Sequence, residues 1–305
     1  MKFVIAGGTG FVGQQLSRLL VENGHEVFIL SRHKGNRGAS PSDLVHLVQW
    51  DGSSQGPWVQ ECQGADVVVN LSGASIADSR WTDKRKQELT DSRVQPTRTL
   101  LQAIQSWSNK PHTFITASGV GYYGDTGDTP VDEASRSGHG FLAKLCREWE
   151  GEALKGEAMG IRVLAVRFGM VLGVDGGALP KMMFPFKLFL GGPVLPGNQY
   201  VAWIHREDLS RLILWLSENR SVSSPVNGVA PELVTMRQFC AALGKAMHRP
   251  SVVPVPQFVL RIALGEMSTV LTTGQKAHPK KAVEAGFSYS YPTLQSAFQS
   301  LMAHA

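Results

Sequence analysis

A doubly wound α/β fold, a parallel sheet with helices on both faces, is what the sequence predicts, and three observations predict it. The chain opens with Lys2-Phe3-Val4-Ile5-Ala6-Gly7-Gly8-Thr9-Gly10-Phe11-Val12-Gly13, an apolar strand running into glycines spaced three apart. Strand-like runs and helical patterns then alternate through the first two-thirds of the chain. The runs are continuous and β-branched, as in Val67-Val68-Val69, which marks strands buried on both faces.

The elements follow in order. The first strand, Lys2–Ala6, leads into a first helix over residues 14–23, where Leu16, Leu19 and Leu20 recur at helical spacing. Between them Gly7 permits a tight turn, Gly10 lets phosphates approach the backbone, and Gly13 lets the helix lie close to the strand. Backbone N–H groups and the helix dipole there suit a pyrophosphate.

The second strand, residues 26–30, ends in Ser31-Arg32. A carboxylate at this strand end would take the ribose 2′-hydroxyl of NAD, whereas a cation accommodates a 2′-phosphate. No Asp or Glu stands here, and His33, Lys34 and Arg37 add positive charge. The expected cofactor is therefore NADP(H).

A third strand covers residues 44–50 and a fourth residues 67–71. The fourth continues as Asn70-Leu71-Ser72-Gly73-Ala74, small residues across which a ligand can lie. A helix over residues 82–107 carries Lys84-Arg85-Lys86, read as a solvated face. On it Glu88, Ser92 and Arg93 lie on neighbouring faces, turned either to a cofactor or to solvent. The fifth strand, residues 113–117, leaves at Ser118 and reaches Tyr122 and Tyr123 where a nicotinamide ring would lie. A helix over residues 142–159 and a sixth strand, Arg162–Phe168, complete the alternation.

After Gly169 the texture changes to a glycine-rich loop, an apolar helix over residues 179–190, a proline-interrupted stretch over residues 250–256 and a helix over residues 258–264. The expected organisation is a dinucleotide domain over residues 1–170, with further contributions from about 200–230. Residues 171–305 form mainly a second lobe, including a small C-terminal domain over about 250–300.

Composition is ordinary: 305 residues, 43% hydrophobic, 18% charged, net charge +5. The scattered basic residues point away from nucleic acid, and no apolar run is long enough to span a membrane. The start shows neither a signal nor a transit pattern, which gives the cytoplasm as the expected location. Cys62, Cys146 and Cys240 offer no metal-ligand spacing and read as buried free thiols.

With these residues on the page, the chain resembles the extended short-chain dehydrogenase/reductases, the NAD(P)-dependent epimerase/dehydratase class, and within it the "epimerase family" subgroup. The resemblance runs over nearly the whole length. It includes the glycine turn, Ser31-Arg32, Asn70 to Gly73, Ser92-Arg93, Ser118 to Gly124, Glu148-Trp149-Glu150, Arg167 to Gly173, Trp203-Ile204-His205 and Asn227-Gly228-Val229-Ala230-Pro231. It implies cofactor contacts at Gly7, Thr9, Gly10, Phe11, Val12, Gly13, Ser31, Arg32, Leu71, Ser72, Gly73, Glu88, Arg93, Ser118 and Val171.

The superfamily's proton chemistry uses a Ser or Thr after the fifth strand and a Tyr-x-x-x-Lys on the next helix. Counting back from Glu148 puts Lys144 at the lysine position and Gly140 at the tyrosine position, so the phenol is missing. Ser118 remains, and Tyr122 or Tyr123 stands as an alternative proton donor. Tyr123, Trp203 and His205 are the candidate substrate contacts, with His205 equally readable as a structural histidine. Asp208 is expected to cap a helix over residues 209–216.

Two functions follow. One is an NADP(H)-dependent reductase or epimerase acting on a small or nucleotide-linked carbonyl or alcohol. The other is an NADP(H)-binding regulatory or scaffold protein that has lost its acid/base. The superfamily often dimerises through helices flanking the sheet, and no metal is expected.

Overall fold

The computed structural model describes residues 1–32 and 42–303. His33, Lys34 and Arg37 lie outside the described residues. The central sheet has seven parallel strands: β1 (Lys2–Ala6), β2 (Glu26–Ser31), β3 (Val45–Gln49), β4 (Val67–Asn70), β5 (Thr113–Gly119), β6 (Arg162–Phe168) and β7 (Val226–Gly228). Their spatial order is β7-β6-β5-β4-β1-β2-β3. The chain winds outward from β1 to β3, returns to β4 on the other side, and so leaves a crevice where the order reverses. Ala6 pairs with Leu30 on one side and with Asn70 on the other, which brings the carboxyl ends of β1, β2 and β4 level.

Side-chain alternation divides the sheet between two apolar cores. Phe3, Ile5, Val69, Leu164 and Val166 face helices α1 (Phe11–Glu22) and α5 (Arg206–Glu218), meeting Leu16, Leu20, Leu212 and Leu216. Val4, Ala6, Val68, Phe114 and Val163 face α2 (Asp83–Ser106) and α3 (Phe141–Leu154), meeting Leu100, Ile104 and Ala153. Each Val, Leu, Ile or Phe among them contributes about 1.5–3 kcal/mol relative to exposure. Continuous apolar strands are what two such faces require.

Helix α1 begins at Phe11, three residues ahead of the expected start, because Gly13 fits inside its first turn. Helix α2 is capped by Thr82, whose hydroxyl accepts from the Arg85 N–H at 3.1 Å. Helix α3 ends at Leu154 and passes through a 3₁₀ turn, Lys155–Met159, to Gly160 at φ +75°. The later segments add α4 (Leu179–Lys187), α6 (Met236–Met247), α7 (Gln257–Leu264) and α8 (Leu294–Ala303). Leu179, Met183, Phe186, Trp203, Phe239 and Phe298 build a third apolar cluster among them.

Two short parallel pairings tie these segments to the crevice. Met170–Leu172 runs beside Trp203–His205, and Pro130–Val131 runs beside Lys276–Ala277. The Gln275 side chain also donates to the Gly124 carbonyl at 2.7 Å, so the C-terminal segment holds the loop that follows β5.

Candidate functional site

At the end of β1, Gly7 sits at φ +78°, and a Cβ there would lie 2.8 Å from the Leu71 carbonyl. Gly10 is the N-cap of α1, with its N–H bonded to the Gly7 carbonyl at 3.0 Å. A Cβ at Gly13 would collide with the Gly7 oxygen and come within 2.6 Å of the Gly8 Cα. The helix therefore starts hard against the turn, with no side chain capping it and no acidic residue in its first turn. Its leading N–H groups and positive dipole end are open to an anion.

The Phe11 side chain is taken up by packing. Its ring lies beneath Gly173, Gly176 and Gly177, where added Cβ atoms would come within 2.6–3.0 Å, and the Arg206 guanidinium covers it at 4.7 Å. Val12 packs against the sheet core, and the exposed Thr9 accepts from the Gln14 side chain through its carbonyl at 2.9 Å.

Ser31 closes β2 opposite Gln49, and Arg32 follows it, exposed. At the end of β4, the Leu71 N–H donates to the Ala6 carbonyl at 2.8 Å and the Ser72 N–H to the Asn70 side chain at 3.1 Å. The next residues are clamped from α2. The Ala74 N–H donates to the Ser92 hydroxyl at 3.0 Å, while Arg93 donates to the Ala74 carbonyl at 2.9 Å.

A Cβ at Gly73 would stand 3.0 Å from the Arg93 guanidinium. Burial pushes Arg93 down to about 10, and its charge rests on carbonyls and on the Trp149 ring 5.3 Å away. Arg93 and Ser92 thus shape the loop. Glu88 is exposed and ion-paired with Arg85 at 3.2 Å.

The end of β5 departs most from expectation. Ser118 on β5, Arg167 on β6 and Asn227 on β7 form one row across the sheet. The Ser118 hydroxyl donates to Glu150 of α3 at 2.6 Å. Glu150 also receives a two-pronged bond from Arg167, at 2.9 and 2.8 Å. Arg167 donates to the Tyr123 hydroxyl at 3.0 Å, and Tyr123 donates to the Asn227 side chain at 2.7 Å. Every member is buried.

Burial pushes the Tyr123 phenol up to about 12, against the opposing pull of Arg167. Desolvation alone would lower Arg167, but the bonds and charge of Glu150 outweigh it and leave the guanidinium raised. Tyr122 is only half-buried, with its ring centroid 3.4 Å from the Arg167 guanidinium carbon.

Gly140 and Lys144, the positions counted for the Tyr-x-x-x-Lys pair, do not face the β5 end. Gly140 is the N-cap of α3, at φ +94°, and Lys144 is exposed beside Glu148 at 3.8 Å. The face of α3 turned to the β5 end carries Leu142, Cys146 and Glu150, at helical i, i+4 and i+8. Leu142 lies against Gly121, whose added Cβ would be 2.9 Å away, and the Cys146 thiol donates to the Gly119 carbonyl at 3.5 Å. Neither a phenol nor an ammonium stands on that face, and burial raises the Cys146 thiol.

Val171 lies in the short strand beside Ile204, half-buried against the sheet core. Trp203 is buried in the third apolar cluster. His205, not Asp208, caps α5, its Nδ1 accepting from the Glu207 N–H at 3.2 Å. Its ring lies tilted against Tyr291, 3.9 Å between centroids, and burial lowers its pKa to about 4. Asp208 instead lies inside the first turn and accepts from the Ser290 and Tyr291 N–H groups, both at 2.8 Å.

Comparison with known proteins matches residues 3–227 to the NAD dependent epimerase/dehydratase family. This chain belongs to that family. Residues 255–301 match a domain of unknown function, DUF1731.

Among relatives, "Epimerase family protein YfhF" of Bacillus subtilis is 42% identical, covering 99% of this chain and 98% of its own. "Epimerase family protein SDR39U1" of Mus musculus is 37% identical, covering 99% and 100%. The crystal structure of human SDR39U1 with NADPH superposes with a TM-score of 0.89 at 32% identity, covering both chains fully. A nucleoside-diphosphate sugar epimerase from Corynebacterium glutamicum gives 0.79 at 28% identity over 100% of this chain and 58% of that one.

Within this epimerase/dehydratase chain, the structure gathers the glycine turn, Ser31-Arg32, residues 71–73 and Ser118 along one sheet edge, and leaves Glu88, Trp203 and His205 in other surroundings. The consecutive residues gave neither Glu150 as the partner of Arg167 nor Asn227 as that of Tyr123. A signal existed: Arg167 is a charge inside an otherwise buried strand, and such a charge requires a counter-charge.

Proposed function

We propose that this protein holds NADP(H) along the carboxyl ends of β1, β2, β4 and β5, and acts as an oxidoreductase or epimerase on an unidentified carbonyl or alcohol without the phenol–lysine pair. The observation that carries the cofactor half is an uncapped α1 N-terminus pressed against Gly7 and Gly13, beside a β2 end bearing Ser31-Arg32 and no carboxylate. That donor set and that glycine cradle fit a dinucleotide with a 2′-phosphate. The NADPH in the human relative's structure supports the same reading.

When bound, the nicotinamide supplies or accepts a hydride. The chain's part is to position the substrate and to handle the proton. Ser118 and Tyr123 are committed to the buried Glu150–Arg167 network, and the raised Tyr123 phenol is a poor acid. Tyr122, whose ring lies on Arg167 but whose hydroxyl is not bonded into that network, is the phenol we assign to the proton.

Arg32→Ala should weaken NADPH binding about tenfold or more and leave NADH binding as it was. Equal loss for both cofactors would remove the 2′-phosphate assignment. Tyr122→Phe should keep cofactor affinity and lose turnover on a panel of carbonyls and nucleotide-linked sugars, followed by nicotinamide absorbance and product analysis.

A second reading, an NADP(H)-binding regulatory or scaffold protein, is favoured by Leu142 and Cys146 on the helix face where proton chemistry would stand. Tight cofactor binding with constant absorbance and no isomerised product across the panel would select it.

A further inference from the structure

We propose that α4, α7 and the extended segments 188–195 and 249–256 form a docking face for an anionic lipid bilayer, bordering the cofactor crevice. Helix α7 has no buried residue. Phe258 and Ile262 on it are 66% and 73% exposed, Val252 before it is 75% exposed, and Phe184, Leu188 and Phe189 at the end of α4 are each more than half exposed. Scattered apolar side chains are ordinary on a surface, but a contiguous set is not.

These side chains share one face. The Val253 N–H donates to the Gly191 carbonyl at 3.0 Å and the Val255 N–H to the Pro193 carbonyl at 2.9 Å, so the segment after α4 is sewn to the segment before α7. Arg249 lies over the Phe189 ring at 4.6 Å. Both helices lean on one loop, Lys181 of α4 donating to the Ala77 carbonyl at 3.2 Å and Arg80 to the Ile262 carbonyl at 2.6 Å. At the end of α7 and just past it, Leu264 and Met267 pack with Ile76, Phe141 and Leu142, which puts the face beside the β5 end.

Charge identifies the occupant. Residues 179–195 and 245–264 carry Lys181, Lys187, Lys245, Arg249 and Arg261 and not one Asp or Glu. All five cations are exposed. Among the described residues, Lys181 alone of these has a carboxylate within ion-pair range, Asp78 at 3.7 Å. Aromatic and aliphatic groups ringed by cations, four of the five without an ion-pair partner among the described residues, suit the boundary between headgroups and acyl chains of an anionic membrane.

A second copy fits worse, because a two-fold contact would set these exposed cations against their own copies. Single-stranded nucleic acid fits worse too, since the aliphatic Leu188, Val252 and Ile262 offer no stacking surface. The described residues contain no helix long and apolar enough to cross a membrane, and peripheral docking needs none.

The test is co-sedimentation of the full chain with phosphatidylcholine vesicles, with and without phosphatidylglycerol. The chain should pellet with phosphatidylglycerol vesicles, less so at high salt, and weakly with phosphatidylcholine alone. The double variant F258S/I262S should lose about tenfold or more of that partitioning, and K187E/R261E should lose the phosphatidylglycerol preference. Both should keep the parent's circular dichroism and NADPH affinity, because the altered side chains are exposed. Failure of the parent to pellet, or unchanged pelleting of F258S/I262S, overturns the proposal. So does a stable dimer in ultracentrifugation that F258S/I262S dissolves, or a single-stranded oligonucleotide bound as tightly as the vesicles. NADPH affinity is read separately, so losing the docking face leaves the cofactor reading standing.

Discussion

Replacing Glu150 by Gln should cost this chain a large share of its stability while changing almost nothing in shape. One Glu150 oxygen accepts from Ser118 at 2.6 Å and from Arg167 at 2.9 Å, and the other accepts from Arg167 at 2.8 Å. The side chains of the pair are 3% and 9% exposed, so water cannot take over either charge. The amide presents an NH₂ group where a donor already points, and it leaves the Arg167 charge buried without its counter-charge.

Breaking a buried pair in this way costs about 3–5 kcal/mol, out of a total of roughly 5–15 kcal/mol for a folded domain. Tyr123→Phe, which removes a neutral donor and strands the Asn227 oxygen, should cost about 1–3 kcal/mol. Urea unfolding followed by circular dichroism reads both as a lower midpoint at unchanged slope. The paired replacement E150L/R167M should be milder than Glu150→Gln alone, because it removes both charges together. A Glu150→Gln protein within about 1 kcal/mol of the parent, the range of an exposed pair, would refute the claim that this ion pair is desolvated.

Two further outcomes can be read on the folded protein. Burial holds His205 at about 4 against 6.5 when unfolded, so its contribution is full above pH 6.5 and is lost as pH falls towards 4. The loss amounts to about 3 kcal/mol. His205→Asn, which keeps an N-cap acceptor, should flatten the stability curve over that window, and an unchanged slope would assign the acid sensitivity to other groups. Gly140 stands at φ +94° and ψ 177° with open space around it. Gly140→Ala should therefore cost about 1–3 kcal/mol through backbone strain alone, and a neutral result by thermal unfolding would mean the N-cap relaxes.

The sequence by itself was enough for six of the seven strands and for the glycine turn at the end of β1. Apolar strands buried on both faces leave a periodic trace, and the glycine turn works through backbone geometry set by Gly7, Gly10 and Gly13. These are local properties, and local properties are written in consecutive residues.

The Ser118 end of the crevice could not be read in this way. Ser118, Glu150, Arg167 and Asn227 are distant in sequence and meet only because three strands align in register and α3 turns one particular face toward them. Counting along the chain chose Gly140 and Lys144. The helix phase, fixed by packing against β5 and its following loop, chose Leu142 and Cys146. Tertiary structure likewise placed Trp203 in a core and His205 at a helix cap. Which side of a helix is buried, and which charges share a low-dielectric interior, depend on contacts that close only when the whole chain has folded.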